Sequence, residues 1–335
     1  MELMRVENLK KYYDIRGGIV THTIGQVRAV DGVDFSIQEG EILGLVGESG
    51  CGKSTLGQLL AGLLVPTEGT VYYQGKELSL HPKKRAADGK LALKDVRTEI
   101  QMVFQDSYSS LNPRKHVYEI LAQPMLYHKL ATKDTIEKEL KRLLELVGLP
   151  SAALSKYPHE FSGGQRQRIG IAKALSLKPK LIVCDEPVSA LDVSIQAQIL
   201  NLILELQKEL GLTCLFIAHG LGAVRYVSDR VAVMYLGKIV ELGAARELFF
   251  HPAHPYTKAL TRAVPIPNPT KRPAEEMILQ GEAASAVHPP KGCRFHTRCP
   301  YARPSCGKEE PGLLPLPHNK DHFVACPYAK QLSQE

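Results

Sequence analysis

Gly47-Glu48-Ser49-Gly50-Cys51-Gly52-Lys53-Ser54 spells G-x-x-x-x-G-K-[ST], with Thr55 directly behind it. Glycines at that spacing let successive backbone N–H groups turn inward around an anion, and a following helix adds the positive end of its dipole. Lys53 brings charge to the β- and γ-phosphates of a nucleotide, and the Ser54 hydroxyl can ligate Mg²⁺. The context fits that reading. EILGLVG reads as a buried strand before the loop, and Leu56, Leu59, Leu60, Leu63 and Leu64 recur at helical spacing after it.

A second acidic site follows the apolar run Leu181-Ile182-Val183-Cys184. Asp185 and Glu186 stand at its end, where an open α/β sheet presents its ligand crevice. Side chains alternate along a strand, so one of two adjacent acids there must face the crevice. Asp185 is placed to hold Mg²⁺ through water and Glu186 to polarise an attacking water. Farther back, Phe161-Ser162-Gly163-Gly164-Gln165 precedes the basic stretch RQRIGIAKAL and forms a second helix start with N–H groups open to a phosphate. Taken alone, such a turn is an ordinary helix N-cap.

The elements that must position these residues alternate between strands and helices. Up to about residue 80 the chain reads as short strands with turns, among them AVDGVDFSI and GTVYYQG. HPKKRAADGKLALKDVR is charged and weakly periodic and reads as a surface excursion. Ile136, Leu140, Leu143, Leu144 and Val147 make one helical stripe; Ile195, Ile199, Leu202, Ile203, Leu206 and Leu210 make another. LIVC and CLFIA are apolar throughout and read as buried parallel strands. The fold class is α/β with a mainly parallel sheet. From about residue 250 Pro and His become frequent and helical periodicity fades, which divides the chain into a domain over 1–255 and an extension over 256–335. The extension is expected to be irregular and short of apolar core, and its cysteines to staple it.

Motif order narrows the reading. The phosphate loop is followed by FQD (Phe104–Asp106), FSGGQ, LIVCDE, SALD (Ser189–Asp192) and AH (Ala218–His219), and in that order they resemble the ATP-binding-cassette (ABC) ATPases over roughly residues 3–255. The resemblance implies an antiparallel β subdomain and a helical signature subdomain beside the parallel core. It implies that Tyr13, with Tyr12 as the competing register, stacks on adenine, and that Gln105 touches Mg²⁺ or the attacking water and links the site to the transporter. Mg²⁺ is then held by Ser54, Gln105 and Asp185. Glu186 resembles the general base, His219 the switch histidine at the γ-phosphate, and Asp192 a residue of the loop that communicates across a dimer. Ser162, Gly163, Gly164 and Gln165 then act on ATP held by the opposite subunit. The family commonly carries an acidic residue after the switch histidine; here Gly220 follows, an expected loosening of that turn without loss of hydrolysis.

VRAVDGVDFSI, SYSSLNPR, SALDVSIQAQILNL, HPYTKAL and the final GCRFHTRCPYA…C…ACPYA are similar to ATPase subunits of oligopeptide/dipeptide importers. Ser107 stands where such subunits usually have proline. Cys293, Cys299, Cys306 and Cys326 follow C-x5-C-x6-C-x19-C, which is not the paired C-x-x-C spacing of zinc ribbons. Four thiolates can bind Zn²⁺ or an iron–sulfur cluster, and thiols or disulfides are the remaining state. The resemblance implies a [4Fe–4S] cluster, structural or protective in role, with Zn²⁺ as the alternative. His288, His296, His318 and His322 lie nearby and read as solvated.

The implied partners are a homologous second ATPase subunit in a head-to-tail dimer, two membrane permeases and an extracytoplasmic solute-binding protein. The implied place is the cytoplasmic face of the membrane. No run approaches the ~18–20 apolar residues of a membrane span, and MELMRVENLKK lacks the apolar stretch of a secretory signal. A formal charge of +7 permits an anionic partner without selecting one. A nucleic-acid ATPase of this family is the rival reading, but the interval between phosphate loop and signature holds no long heptad run, so no nucleic acid is expected. Import of another solute, nickel or an oligosaccharide, is the nearer alternative.

Overall fold

Strand residues point alternately to opposite faces, so a run that is apolar throughout must be covered on both. The computed structural model describes residues 1–17, 22–80, 89–263 and 284–332. It holds thirteen strands among those residues, numbered β1–β13 along the chain, in two sheets. The larger runs in the order β12-β13-β11-β10-β3-β9-β8-β7. Its centre is parallel: β10 (Arg230–Tyr235), β3 (Ile42–Val46), β9 (Thr213–Ile217), β8 (Leu181–Asp185) and β7 (Ile100–Val103). Every residue of β3, β8 and β9 is buried, and the alternation sorts them into two cores. Ile42, Val46, Ile182, Cys184 and Phe216 join the helices on one face. Leu43, Leu45, Leu181, Val183 and Leu215 join the second sheet on the other.

That second sheet has the order β2-β1-β4-β5-β6, antiparallel except for its last pair, and comprises β1 (Glu2–Gly17), β2 (His22–Gln38), β4 (Glu68–Tyr73), β5 (Lys76–Ser79) and β6 (Leu91–Ala92). The sequence suggests short strands at this end, yet β1 and β2 run for 16 and 17 residues. Their register shifts five times, and those irregularities break the alternation that would have marked one long strand. The helix after the phosphate loop is Lys53–Leu60; it stops before Leu63, which is half exposed. Of the stretch read as a surface excursion, residues 81–88 lie outside the described residues. Leu93 and Val96 are buried in the core between the sheets, so its second half is structural.

Both helical stripes form, except that Val147 lies just past the end of the first helix and Leu210, at the end of the second, is exposed. Helix Ile136–Leu146 buries Ile136, Leu140, Leu143 and Leu144, and helix Val193–Leu210 buries Ile199, Leu202, Ile203 and Leu206. With helices Val117–Tyr127 and Gly163–Leu175 they cover one face of the main sheet.

The described residues of the extension hold more regular structure than its composition suggests. β12 (Leu314–Leu316) and β13 (Asn319–Val324) continue the main sheet beyond β11 (Lys238–Ala244). Phe295 is buried against Tyr235, Tyr256 and His254, borrowing core from the cassette instead of building its own. Glu241 on β11 is fully buried and joins three segments. Its carboxylate accepts hydrogen bonds from the Ala253 and His254 amides at 2.8 and 2.9 Å and meets His322 Nε2 of β13 at 2.7 Å. His322 is therefore buried and partnered, contrary to the solvated reading; the opposing carboxylate sits 81 residues away, beyond any local pattern.

His254 caps helix Pro255–Arg262, its Nδ1 accepting from the Tyr256 amide at 3.1 Å. Burial pushes its pKa down to about 4, with Glu241 pulling the other way. The folded-state value lies below the ordinary 6.5, so the unfolded chain binds the additional proton between them. Stability from this group is complete above pH 6.5 and falls as pH drops towards 4, by up to about 3 kcal/mol. Thermal melts across that range are expected to show the loss. His254→Asn, which keeps a capping acceptor, should flatten it, and an unchanged slope would exclude His254 as the source.

Candidate active site

Parallel strands deliver their C-terminal ends to one side of the sheet, and several of the chemistry-bearing segments leave from there. The phosphate loop follows β3, Asp185 ends β8, and His219 follows β9. Gly47 and Gly52 have φ of +155° and +107°, and each passes under a carbonyl. A Cβ on Gly47 would lie 2.1 Å from Met234 O, and one on Gly52 1.9 Å from Ala29 O, so neither position admits a side chain. Gly52 is also the N-cap of helix Lys53–Leu60 and offers no side chain to its first amides. Those N–H groups are left for an anion. Lys53 is buried and its ammonium donates to Gly47 O at 2.8 Å and Glu48 O at 3.0 Å. Cys51 is buried beside it and is a packing residue.

Ser54 Oγ donates to Asp185 Oδ1 at 3.0 Å. Asp185 is buried, and burial pushes its carboxyl up; the Ser54 hydrogen bond and Lys53 offset this in part. A desolvated carboxylate beside a hydroxyl is a donor set suited to a hard cation such as Mg²⁺. Glu186 follows with φ +46°, in the left-handed region that non-glycine residues seldom occupy. Its amide donates to Ile217 O at 2.9 Å, tying this turn to β9. Its side-chain Oε2 accepts from Gln105 Nε2 at 2.8 Å, so the two residues assigned to water handling meet across 81 positions. His219 is exposed at the end of β9. Gly220 is the N-cap of helix Leu221–Val227 and leaves it without a side-chain cap, which is the physical content of the missing carboxylate.

Tyr12 and Tyr13 point to opposite sides of β1. Tyr12 is partly buried and donates to Asp31, whereas Tyr13 is 39% exposed with Lys11 Nζ 5.2 Å from its ring centre. An open ring is the one available for stacking, so the geometry favours the Tyr13 register.

The signature residues stand apart. Ser162 caps helix Gly163–Leu175 in a reciprocal box: Gln165 N donates to Ser162 Oγ at 3.3 Å and Ser162 N to Gln165 Oε1 at 3.0 Å. Ser162 is exposed. Among the described residues no hydrogen bond or ion pair joins 162–165 to 47–55. Asp192 caps helix Val193–Leu210, accepting from Ile195 N at 3.0 Å and Ser194 Oγ at 2.8 Å, and these bonds hold its carboxyl below the ordinary range.

Two contacts to the loop were not legible in the sequence. Tyr256 Oη accepts from the Glu48 amide at 2.8 Å, and Arg298 pairs with the Glu48 carboxylate. The four tail cysteines carry free, half-buried thiols. Burial pushes Cys293, Cys299 and Cys326 up, and neighbouring thiols of the same four add to it. Among the described residues, however, no group of three or more His, Cys, Asp or Glu side chains is set to hold a metal ion. A tail already shaped as a metal-binding extension is thus not what the structure presents.

Comparison with known proteins is consistent with the geometry. Residues 30–189 match the family described as ABC transporter, and residues 240–306 match that described as oligopeptide/dipeptide transporter, C-terminal region. The chain is 50% identical over 327 residues to the oligopeptide transport ATP-binding protein AppF of Bacillus subtilis (strain 168), covering 97% of this chain and 96% of that one. It is 50% identical to the oligopeptide transport ATP-binding protein OppF of Salmonella typhimurium, covering 93% and 92%. A solved dimer of the ATP-binding cassette MJ0796, in a post-hydrolysis state with ADP and Pi, superposes with a TM-score of 0.62 at 27% identity, covering 73% of this chain and 99% of that one.

Glu186→Gln keeps the shape of the turn and the partner of Gln105 while removing the carboxylate expected to act as base. Phosphate release is expected to fall on the order of a hundredfold or more, with ATP binding retained. Turnover at the native rate would remove Glu186 from that role.

Proposed function

This chain belongs to the ATP-binding proteins of ABC oligopeptide/dipeptide transporters, and on that premise we propose that it hydrolyses ATP to power the import of di- or oligopeptides. The observation that carries the peptide reading is that the likeness runs through both the cassette and the C-terminal region, which a general cassette match does not require.

The chain's own residues divide the work. Backbone N–H groups of 47–55 face the phosphates of ATP, and the Lys53 ammonium exchanges its two loop carbonyls for phosphate oxygens. Ser54, Asp185 and Gln105 are the residues that would hold Mg²⁺, which when bound would screen the charge of the phosphates. Glu186 accepts a proton from the attacking water, and Gln105, its present partner, orients that water. His219 contacts the γ-phosphate and Tyr13 stacks on the adenine. Ser162, Gly163, Gly164 and Gln165 act on ATP held by a second subunit, with Asp192 on the loop that signals across the pair. The exposure of Ser162, away from its own phosphate loop, supports that sharing.

We place the subunit at the cytoplasmic face of a membrane, held by two permeases, with a homologous second ATPase chain and an extracytoplasmic binding protein completing the system. No helix among the described residues is long and apolar enough to cross a membrane. A groove of about 280 Å³ between β7 and helix Gly163–Leu175 supports the docking of a permease segment. Phe104, directly before Gln105, lines it. Gln167 brings to it a buried amide nitrogen with no partner among the described residues, and Lys173 an amine whose pKa burial pushes down. The Gln167 amide is left for an acceptor from outside the chain, whereas Lys173 Nζ already donates to Ser110 O at 2.9 Å. We divide the chain near residue 255, as a cassette and an extension docked on it.

At Cys293, Cys299, Cys306 and Cys326 we propose the [4Fe–4S] cluster that the resemblance implies, in a structural or protective role. What supports it is the influence that neighbouring thiols of the four exert on Cys293, Cys299 and Cys326, and an Arg303 N–H aimed at Cys306 Sγ at 3.5 Å. The thiols must draw closer to ligate it.

Capture of the tagged chain from detergent-solubilised membranes is expected to bring down two permeases and a second ATP-binding protein. Recovery of a lone homodimer with no membrane protein would sink the transporter assignment. Protein purified without oxygen should be brown and absorb at ~400 nm, and Cys306→Ser with Cys326→Ser should bleach it; colourless protein with one zinc per chain would reverse that assignment.

A further inference from the structure

Two arginines of the extension, one turn apart and bracketed by Cys293 and Cys299, reach into the cassette. Arg298 grips the Glu48 carboxylate with both terminal nitrogens, at 2.8 and 3.0 Å, and its side chain is only 7% exposed. Glu48 is the second residue of the phosphate loop. Its carbonyl accepts from Lys53, and its amide donates to Tyr256 Oη, so the one residue is fixed by side chain, amide and carbonyl together. Phe295 anchors the segment between the arginines among Tyr235, Tyr256 and His254. Arg294, also buried, donates to Leu236 O and pairs with Asp31. Asp31 in turn accepts from Tyr12, whose neighbour Tyr13 presents the open ring. Burial pushes the Asp31 carboxyl up, but the bonds from Tyr12 and Arg294 outweigh it and the net shift is down.

We propose that Arg294 and Arg298 are positioning residues of the ATP site. Arg298 sets the phosphate loop through Glu48, and Arg294 sets the adenine edge through Asp31 and Tyr12. The extension is then a wall of the nucleotide site, holding it at both ends. A planar, bidentate guanidinium suits such a task because it fixes direction as well as charge. The inference rests on the assignment of ATP to Tyr13 and residues 47–54.

Calorimetric titration of the full-length chain with Mg-ATP and with Mg-tripolyphosphate, which lacks the base, separates the two roles. Arg298→Ala is expected to weaken both ligands roughly tenfold, and Arg298→Lys to weaken them less. Glu48→Ala combined with Arg298→Ala should be no worse than either alone, since the two act through one contact. Arg294→Lys, which keeps the charge opposite Asp31, should weaken ATP several-fold and leave tripolyphosphate unchanged. In hydrolysis assays the losses should fall on KM and spare kcat. Near-UV circular dichroism and the melting temperature establish that each variant is folded. Folded Arg298 variants with native affinity, multiplying losses in the double variant, or equal loss of both ligands in Arg294→Lys would overturn the inference. Lys53→Ala distinguishes the premise: if it binds ATP normally, the site assignment itself fails.

Discussion

The structure depends on one close approach. Between β3 and the following helix the chain must turn with bare backbone, because Gly47 lies under the Met234 carbonyl of β10 and Gly52 under the Ala29 carbonyl of β2. The first belongs to the parallel sheet and the second to the antiparallel one. The loop proposed to receive the phosphates is therefore also where the two sheets are pressed together. A side chain at either glycine would push a sheet away as well as fill an anion cradle. This couples fold and chemistry more tightly than a surface loop could.

From that turn the charges are arranged by desolvation. Lys53 and Asp185 are both buried, one on carbonyl oxygens and the other on a hydroxyl. Neither is neutralised by a close opposite charge; among the described residues no ion pair joins either to a partner. Such a site favours a ligand that brings negative phosphates together with a divalent cation, since each satisfies the group the other leaves. Gln105 and Glu186, by contrast, are paired with one another through a 2.8 Å hydrogen bond.

The extension is integrated by the same means. It has too little apolar surface for a core of its own, and its small cluster of Ala253, Leu316, Val324 and Ala329 already includes a residue of the cassette. It lends strands to the main sheet, sets Phe295 against Tyr235 and His254 of the cassette and brings His322 to the buried Glu241. Buried polar contacts of that kind specify one docking pose, since each misplacement would leave a charge unpaired.

By itself the sequence determined what local pattern can encode. The spacing from Gly47 to Ser54, the apolar runs of β8 and β9, the acids at the end of β8 and the two helical stripes depend on chain-local rules of turn, period and alternation. All of these stand in the structure. Tertiary structure decided the pairings that no period marks: Gln105 with Glu186, His322 with Glu241, Arg298 with Glu48 across 250 positions and Arg294 with Asp31 across 263. It also separated Tyr12 from Tyr13, which are chemically equal in the sequence and differ only in which face of a bulged strand each occupies. The physical reason is common to all: a polar contact between distant segments exists only once the sheets that carry them have packed. The same holds for the four thiols, whose spacing along the chain fixes their number and order but not their separation in space.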